Sequence, residues 1–320
     1  MKYIEPSSIS LGSVIATQTR SKVYCATMDG KSKAVCLKRV SLDDRNNLEH
    51  ECSMLKRVES CRNVPRVLAL CMDQTQGFAC LLETLIHGAP VHRLFRHGVL
   101  SQQFATYVWW CLGRILSDVH SQGVVHGDIK LPNVLIGLDG TVSLVDFGLS
   151  CDATDAEYLS KNHGTFHTRA PETFWPKAQR SGLNSYATDI WAFGVFGFEV
   201  YFGRPPFGSF NVSSQTVENV EAELNWDPIN ASHALSTDLA FRDLMLKHLL
   251  VLDPTQRSTN WKVILEHPYF TDSLSASGSS IVSGVDSDDD RKGTSTPRAN
   301  ICSIPPCVST LIESLLPAAS

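Results

Sequence analysis

The sequence predicts a two-lobed α+β protein, a small β-rich lobe followed by a larger, mainly helical one. Three observations predict it. Residues 9–40 are rich in Val, Thr and Ile broken by short turns, the composition of antiparallel strands. Over residues 102–120 apolar side chains recur at helical spacing, with Trp109, Leu112, Ile115, Leu116 and Val119 on one stripe. Between these patterns, residues 83–88 read as a hinge.

Taken in order, three strands fill residues 9–40, with Asp29-Gly30 marking a hairpin. Residues 42–58 form one helix whose Leu48, Met54, Leu55 and Val58 share a face. Residues 67–70 and 78–82 give two more strands. Helices follow over 102–120, 185–201, 239–252 and 259–266. The longest apolar run, 191–202, is too short to span a bilayer and contains Glu199, so it reads as a buried helix. The lobes are expected over 1–85 (the domain proper from about residue 9) and 86–271. Beyond Thr271 the composition changes: residues 271–280 hold five serines, Asp286-Ser287-Asp288-Asp289-Asp290 is acidic, and prolines follow. Residues 272–320 are therefore expected to be a disordered tail, with one short amphipathic helical segment at 309–316 as a candidate partner motif.

Composition narrows the function. Of 320 residues 43% are hydrophobic and 19% charged, which suits a chain with a sizeable core, and the net charge of −5 argues against a nucleic-acid or membrane-surface binder. The ten cysteines include no Cys-x-x-Cys pair, which argues against a zinc site and for a reducing compartment. The N-terminal residues do not form a signal peptide, and an intracellular location, cytoplasmic and/or nuclear, is expected.

Chemistry is concentrated in His126-Gly127-Asp128-Ile129-Lys130-Leu131-Pro132-Asn133 and in Asp146-Phe147-Gly148. Apolar segments on both sides of the first, and the hairpin signal Asp139-Gly140 before the second, would bring Asp128, Asn133 and Asp146 together. An aspartate to accept a hydroxyl proton, a lysine two residues on, and an Asn/Asp pair for a divalent cation are the groups that phosphoryl transfer needs. The pattern resembles the catalytic loop and metal-binding segment of eukaryotic-type protein kinases.

The resemblance covers about residues 9–270. It implies Asp128 as catalytic base assisted by Lys130, with Asn133 and Asp146 holding Mg2+. It implies Lys38, which ends Val35-Cys36-Leu37-Lys38, as the lysine of the ATP α- and β-phosphates, with Glu51 as its partner and Glu49 as the runner-up. The segment 82–85 resembles the adenine-contacting hinge. Ile15, Val23, Cys36, Glu83, Leu85 and Leu135 complete the ATP site that the resemblance implies. Gly164-Thr165 and Ala170-Pro171-Glu172 resemble the peptide-receiving segment, with Arg257 as the structural partner of Glu172. Lys130 with Thr165 points to the serine/threonine branch, and the peptide-receiving segment points to protein substrates. The alternative is a pseudokinase, a kinase fold kept as a binding scaffold.

Three departures bear on activity. Ala16, Gln18 and Ser21 stand where the family carries glycines, and Gly12 could substitute only through a loop insertion. Gly127 replaces the arginine that often receives an activation-segment phosphate, so activity independent of phosphorylation there is expected. Pro132 replaces a glutamate common in kinases with basic substrates.

Overall fold

The computed structural model describes residues 3–28, 34–98, 100–155, 164–174, 185–206, 238–275 and 305–316. The first lobe contains β1 (Tyr3–Ile4), β2 (Ile9–Thr17), β3 (Ser21–Met28), β4 (Val35–Ser41), α1 (Arg45–Arg57), β5 (Val67–Asp73) and β6 (Phe78–Thr84). Its sheet has six strands in the order β1-β5-β6-β4-β3-β2. β1 lies parallel to β5 and was not anticipated, because two residues cannot display an alternation. The expected hairpin at Asp29-Gly30 lies outside the described residues.

Strand periodicity sorts side chains to the two faces of this sheet. Val35, Leu37, Ala69, Cys71 and Leu82 pack together on one face. Val40, Leu70, Ala79 and Leu81 point the other way, onto Leu48, Cys52 and Leu55 of α1. Cys36 and Lys38 share the α1 face by register, and this carries them to the cleft between the lobes.

The second lobe contains β7 (Ala89–Pro90), α2 (Val91–Arg96), α3 (Gln102–Ser121), β8 (Val124–Val125), β9 (Val134–Ile136), β10 (Val142–Leu144), β11 (Cys151–Asp152), α4 (Tyr186–Phe202), α5 (Leu239–Leu244), α6 (Trp261–Leu265), α7 (Pro268–Ser275) and α8 (Pro306–Leu315). Ser101 caps α3 by accepting the Phe104 N–H. α4 is apolar on all sides and almost wholly buried, as a central helix must be. It crosses α3 where Gly197 meets Trp109: a Cβ at Gly197 would lie 2.1 Å from the indole. Trp109 also donates its N–H to the Phe193 carbonyl at 3.0 Å, so the crossing is fixed by both shape and hydrogen bonding. No helix among the described residues is long and apolar enough to cross a membrane.

Two expectations change. The helix read over 239–252 is α5 followed by a π-helical turn, Met245–Leu249. Asp253 precedes Pro254, which disfavours helical backbone there, and the His248 carbonyl is taken by the Ser258 N–H instead. The second concerns the tail. α7 runs to Ser275, and α8 forms within the stretch expected to be disordered. Val308 and Ile312 of α8 are fully buried in the main core, and the helix packs on α2. The predicted amphipathic segment thus has its partner within the chain. Val308 and Ile312, an i, i+4 pair, dock the helix together with the partly buried Leu311, Leu315 and Leu316.

Candidate active site

The loop after β8 places the polar groups. Lys130 Nζ donates to Asp128 Oδ2 at 2.6 Å and to Thr165 Oγ1 at 2.9 Å. Thr165 donates its backbone N–H (3.0 Å) and its hydroxyl (2.7 Å) to Asp128 Oδ1. Asn133 Nδ2 donates to the Asp128 carbonyl at 2.9 Å and to Oδ2 at 3.2 Å. Donors therefore hold both oxygens of Asp128 in one orientation. Spending Nδ2 on Asp128 leaves the amide oxygen of Asn133 as its cation-binding atom.

This loop stands on Asp189 of α4. Asp189 accepts the backbone N–H of His126 at 2.7 Å and of Gly127 at 2.9 Å. It also pairs with His120 Nε2 at 2.9 Å, while His120 Nδ1 accepts the Trp261 N–H. Trp261 can only donate, so the His120 proton sits on Nε2 and points at Asp189. Burial would push the Asp189 carboxyl up, but these hydrogen bonds and the nearby histidines hold it below its ordinary value. Gly127 has φ 78°, and a Cβ on Gly164 (φ 92°) would lie 2.9 Å from the Gly127 carbonyl. Two left-handed glycines thus let the segment carrying Thr165 fold back onto the loop.

Lys38 brings in the first lobe. Its Nζ lies 2.9 Å from Glu51 and 2.8 Å from Asp146 Oδ1. Of the two candidate glutamates it is Glu51 that faces Lys38; Glu49 faces Arg45 at 3.9 Å. The short spacing from Lys38 is bridged by a 3-10 turn, Leu42–Asp44, that leads straight into α1. Burial pushes the Asp146 carboxyl up, but the Lys38 charge and the hydrogen bonds from Lys38 and Gln18 override it and hold it at about 2. Asp146 is non-glycine backbone at φ 68°, a conformation that persists where its surroundings enforce it. Here Lys38 and the buried Phe147, whose ring meets His126 edge-on at 4.8 Å, do so.

Between the lobes lies a cleft of about 400 Å³. All six apolar and hinge residues assigned to an ATP site, Ile15, Val23, Cys36, Glu83, Leu85 and Leu135, line it, together with Lys38, Glu51, Lys130, Asn133 and Asp146. Asp128 lines an adjoining cavity that shares Lys38, Glu51, Lys130 and Asp146. Burial pushes the Cys36 thiol well up, so it behaves as a neutral wall. Burial, reinforced by the charge of Glu51, pushes the Glu83 carboxyl up to about 8. An acid whose folded pKa is raised stabilises the fold below its unfolded value, and that stability is lost as pH rises from about 4.5 through about 8. Glu83→Gln should therefore flatten the fall in melting temperature between pH 6 and 9 while changing little at pH 5; an equally steep fall in the variant would show that Glu83 is not its source.

The glycine-poor hairpin tip contains no insertion. Ala16 pairs with Val23 and Thr17 with Lys22, and the Gln18 N–H donates to the Ser21 carbonyl at 2.9 Å. Gly12 sits far back in β2 at a bulge, where a Cβ would lie 2.8 Å from the Cys25 carbonyl. It takes no part in the tip, which overturns its reading as a substitute. The Gln18 side chain instead reaches into the site, its Nε2 donating to Asp146 Oδ2 at 2.9 Å. Nothing in the sequence signals this contact, since a polar residue at a hairpin tip ordinarily faces water.

Arg257 and Glu172 form a bidentate pair at 2.6 and 3.0 Å, both side chains at most 1% exposed. A further tie, unforeseen from sequence, joins α1 to β11: Arg57 pairs with Asp152 and donates to the carbonyls of Gln122 and Gly123. His50 Nε2 meets the Ser150 carbonyl at 2.7 Å. α1 is thereby pinned to the segment following Asp146 without a phosphate.

A lysine–glutamate pair in a β-rich lobe, facing an aspartate, an asparagine and a second aspartate on a helical lobe, defines a phosphotransferase-type cleft. Residues 12–270 match the protein kinase domain, and the chain belongs to that family. It is 28% identical to mouse Aurora kinase C over 273 residues, covering 84% of this chain and 93% of the relative. It is 25% identical to an Aurora kinase of Debaryomyces hansenii over 275 residues, 84% of this chain and 63% of the relative. It is 32% identical to the Arabidopsis thaliana serine/threonine-protein kinase RUNKEL over 161 residues, 48% of this chain but 11% of that much longer protein.

Proposed function

We propose that the chain is an active serine/threonine protein kinase, transferring the γ-phosphate of ATP to hydroxyls of protein substrates with Mg2+. The observation that carries this reading is the joint placement of Lys38, Glu51, Asp128, Asn133 and Asp146 around one cleft with the Lys38–Glu51 pair formed. The residues fit magnesium: Asn133 offers an amide oxygen and Asp146 a carboxylate that stays ionised far below neutral pH, both hard donors. Bound there, the cation would neutralise charge on the nucleotide phosphates.

The chain's own residues divide the remaining work. Lys38, held by Glu51, orients the α- and β-phosphates. The backbone of 83–85 receives adenine against Val23 and Leu135. Asp128 takes the proton of the incoming hydroxyl, and Lys130 offsets charge on the moving phosphoryl group. Serine/threonine specificity is supported by the Lys130–Asp128–Thr165 contacts and by relatives named as serine/threonine-protein kinases, RUNKEL among them. Protein substrates are supported by the Thr165–Glu172 segment that Arg257 anchors. The scaffold reading is favoured by one observation, Gln18 seated on Asp146 in place of an open glycine loop.

Transfer of labelled γ-phosphate to a mixed protein substrate tests the reading. Label on serine and threonine from the wild type, lost in Asp128→Asn and Asp146→Asn, is the expected result. No transfer above the variants from folded protein would favour the scaffold.

Activity is also expected to be independent of a phosphate on the segment after Asp146. Gly127 offers no receptor, and the Arg57–Asp152 tie already fixes α1. Ser150 is buried with its hydroxyl on the His126 carbonyl and Ser160 lies outside the described residues, so among the described residues the accessible test position is Thr154. Thr154→Ala should match the wild type, whereas Thr165→Val should lower kcat by roughly tenfold through the lost hydrogen bond to Asp128. A large loss in Thr154→Ala would contradict this.

A further inference from the structure

We infer that Gln18 competes with a divalent cation for the cation-facing oxygen of Asp146, because an amide N–H held on that oxygen opposes a positive charge bound to it. This rests on the nucleotide and magnesium reading above and adds a specific competitor to it. Asp146 has two carboxylate oxygens. Oδ1 is held by Lys38 at 2.8 Å, and Oδ2, the one turned from Lys38, accepts Gln18 Nε2 at 2.9 Å. The Lys38 ammonium repels a cation from Oδ1, so Oδ2 is the oxygen a cation favours while the Lys38 contact stays intact.

The Gln18 amide is aimed rather than adventitious. Ser21 Oγ donates to Gln18 Oε1 at 2.7 Å. The Asp146 carboxylate only accepts, so the NH2 end faces it, and the carbonyl end is tethered by the Ser21 hydroxyl. The hairpin closes through the Gln18 N–H to the Ser21 carbonyl, which sets both side chains on one short turn. Ser21 is buried at the base of this turn and Gln18 is exposed at its tip. The orienting group is thus fixed while the amide it orients can leave. The Asp146 carboxylate cannot turn away in response without breaking its bond to Lys38.

The displaced contact is a hydrogen bond to a charged group, partly open to water. Its loss should lower the magnesium concentration that supports nucleotide binding by roughly fivefold, the factor that about 1 kcal/mol produces.

The test follows the rise in melting temperature produced by a fixed concentration of a non-hydrolysable ATP analogue as Mg2+ is titrated, for the wild type, Gln18→Ala and Ser21→Ala. The expected result is a midpoint in Mg2+ roughly fivefold lower in Gln18→Ala and a smaller shift in the same direction in Ser21→Ala, whose Gln18 amide is present but no longer aimed. A lowered midpoint in Gln18→Ala with an unchanged one in Ser21→Ala would support the competition by Gln18 and overturn the aiming by Ser21. A response in every protein with an unchanged or higher midpoint in Gln18→Ala would overturn it and leave the nucleotide reading standing. No response in any of the three, with all folded, would overturn the nucleotide reading and this inference with it. Gln18 lies at an exposed tip, so the alanine variant is expected to fold.

Discussion

Asp128→Asn should abolish most phosphotransfer while leaving nucleotide binding in place. The substitution is nearly isosteric, but it changes what the site can hold. Asp128 accepts four donors from Lys130, Asn133 and Thr165. An asparagine supplies one accepting oxygen and one NH2 group, so one side of the network becomes donor against donor. More directly, an amide cannot take the proton of an incoming hydroxyl. Removing a general base costs about 10²–10⁴ in rate. The cleft walls and Lys38 are untouched, so a nucleotide-dependent rise in melting temperature should persist. Asp146→Asn should behave differently, since it removes the carboxylate that Lys38 and Gln18 share; there both transfer and the magnesium dependence of nucleotide binding should fail. Single-turnover transfer measured beside thermal shifts separates the two. Residual activity of Asp128→Asn above a tenth of wild type would show that proton acceptance by Asp128 is not needed.

Arg257→Met should be the most destabilising single change in the second lobe. The guanidinium is fully buried and every part of it is used: it pairs with Glu172, donates to the carbonyls of Ala187 and Val251, and lies over the Trp191 ring at 5.0 Å. Removing it leaves the Glu172 carboxyl without its guanidinium partner at 1% exposure. Breaking a buried pair from one side costs about 3–5 kcal/mol, whereas replacing both partners is often close to neutral. The double variant Glu172→Gln/Arg257→Met should therefore recover part of the loss. At about 2–4 °C per kcal/mol for a domain of this size, the single variant should melt on the order of 10 °C lower. Equal melting temperatures for the wild type and the single variant would mean that the pair holds nothing together.

Much of this was legible in the sequence, for physical reasons that differ by element. Strands β2 to β6 and helices α1, α3 and α4 announced themselves through period-2 and period-3.6 burial, which depends only on neighbouring residues. The β9–β10 hairpin followed from Asp139-Gly140, with Gly140 at φ 83°. The Asp128–Lys130–Asn133 group was readable because a short loop fixes its geometry locally. What the sequence could not display are contacts made by long-range closure. The His120–Asp189–Trp261 set joins three helices, Arg57 meets Asp152 across the lobes, and Gln18 meets Asp146 across the cleft. Each pairs an ordinary polar residue with one more than sixty positions away, and no spacing rule reaches that far. The kinked end of α5 was missed because helical periodicity continues through Met245–Leu249 while the backbone does not.

The docking of α8 bears on how the protein can be handled. The family match stops at residue 270, and a preparation trimmed there would seem complete. Yet Val308 and Ile312 sit in the same core as Val91 and Leu94 of α2. Trimming would strip Val308 and Ile312, with Leu274 of α7 and the partly buried Leu311 and Leu315, from that core and leave an apolar strip facing water next to His92 and Arg93, which line the cleft between the lobes. Such a shortened protein would be prone to self-association at high concentration, with the cleft mouth at the sticky edge. Purification and crystallisation are therefore better served by a chain that runs through Leu316.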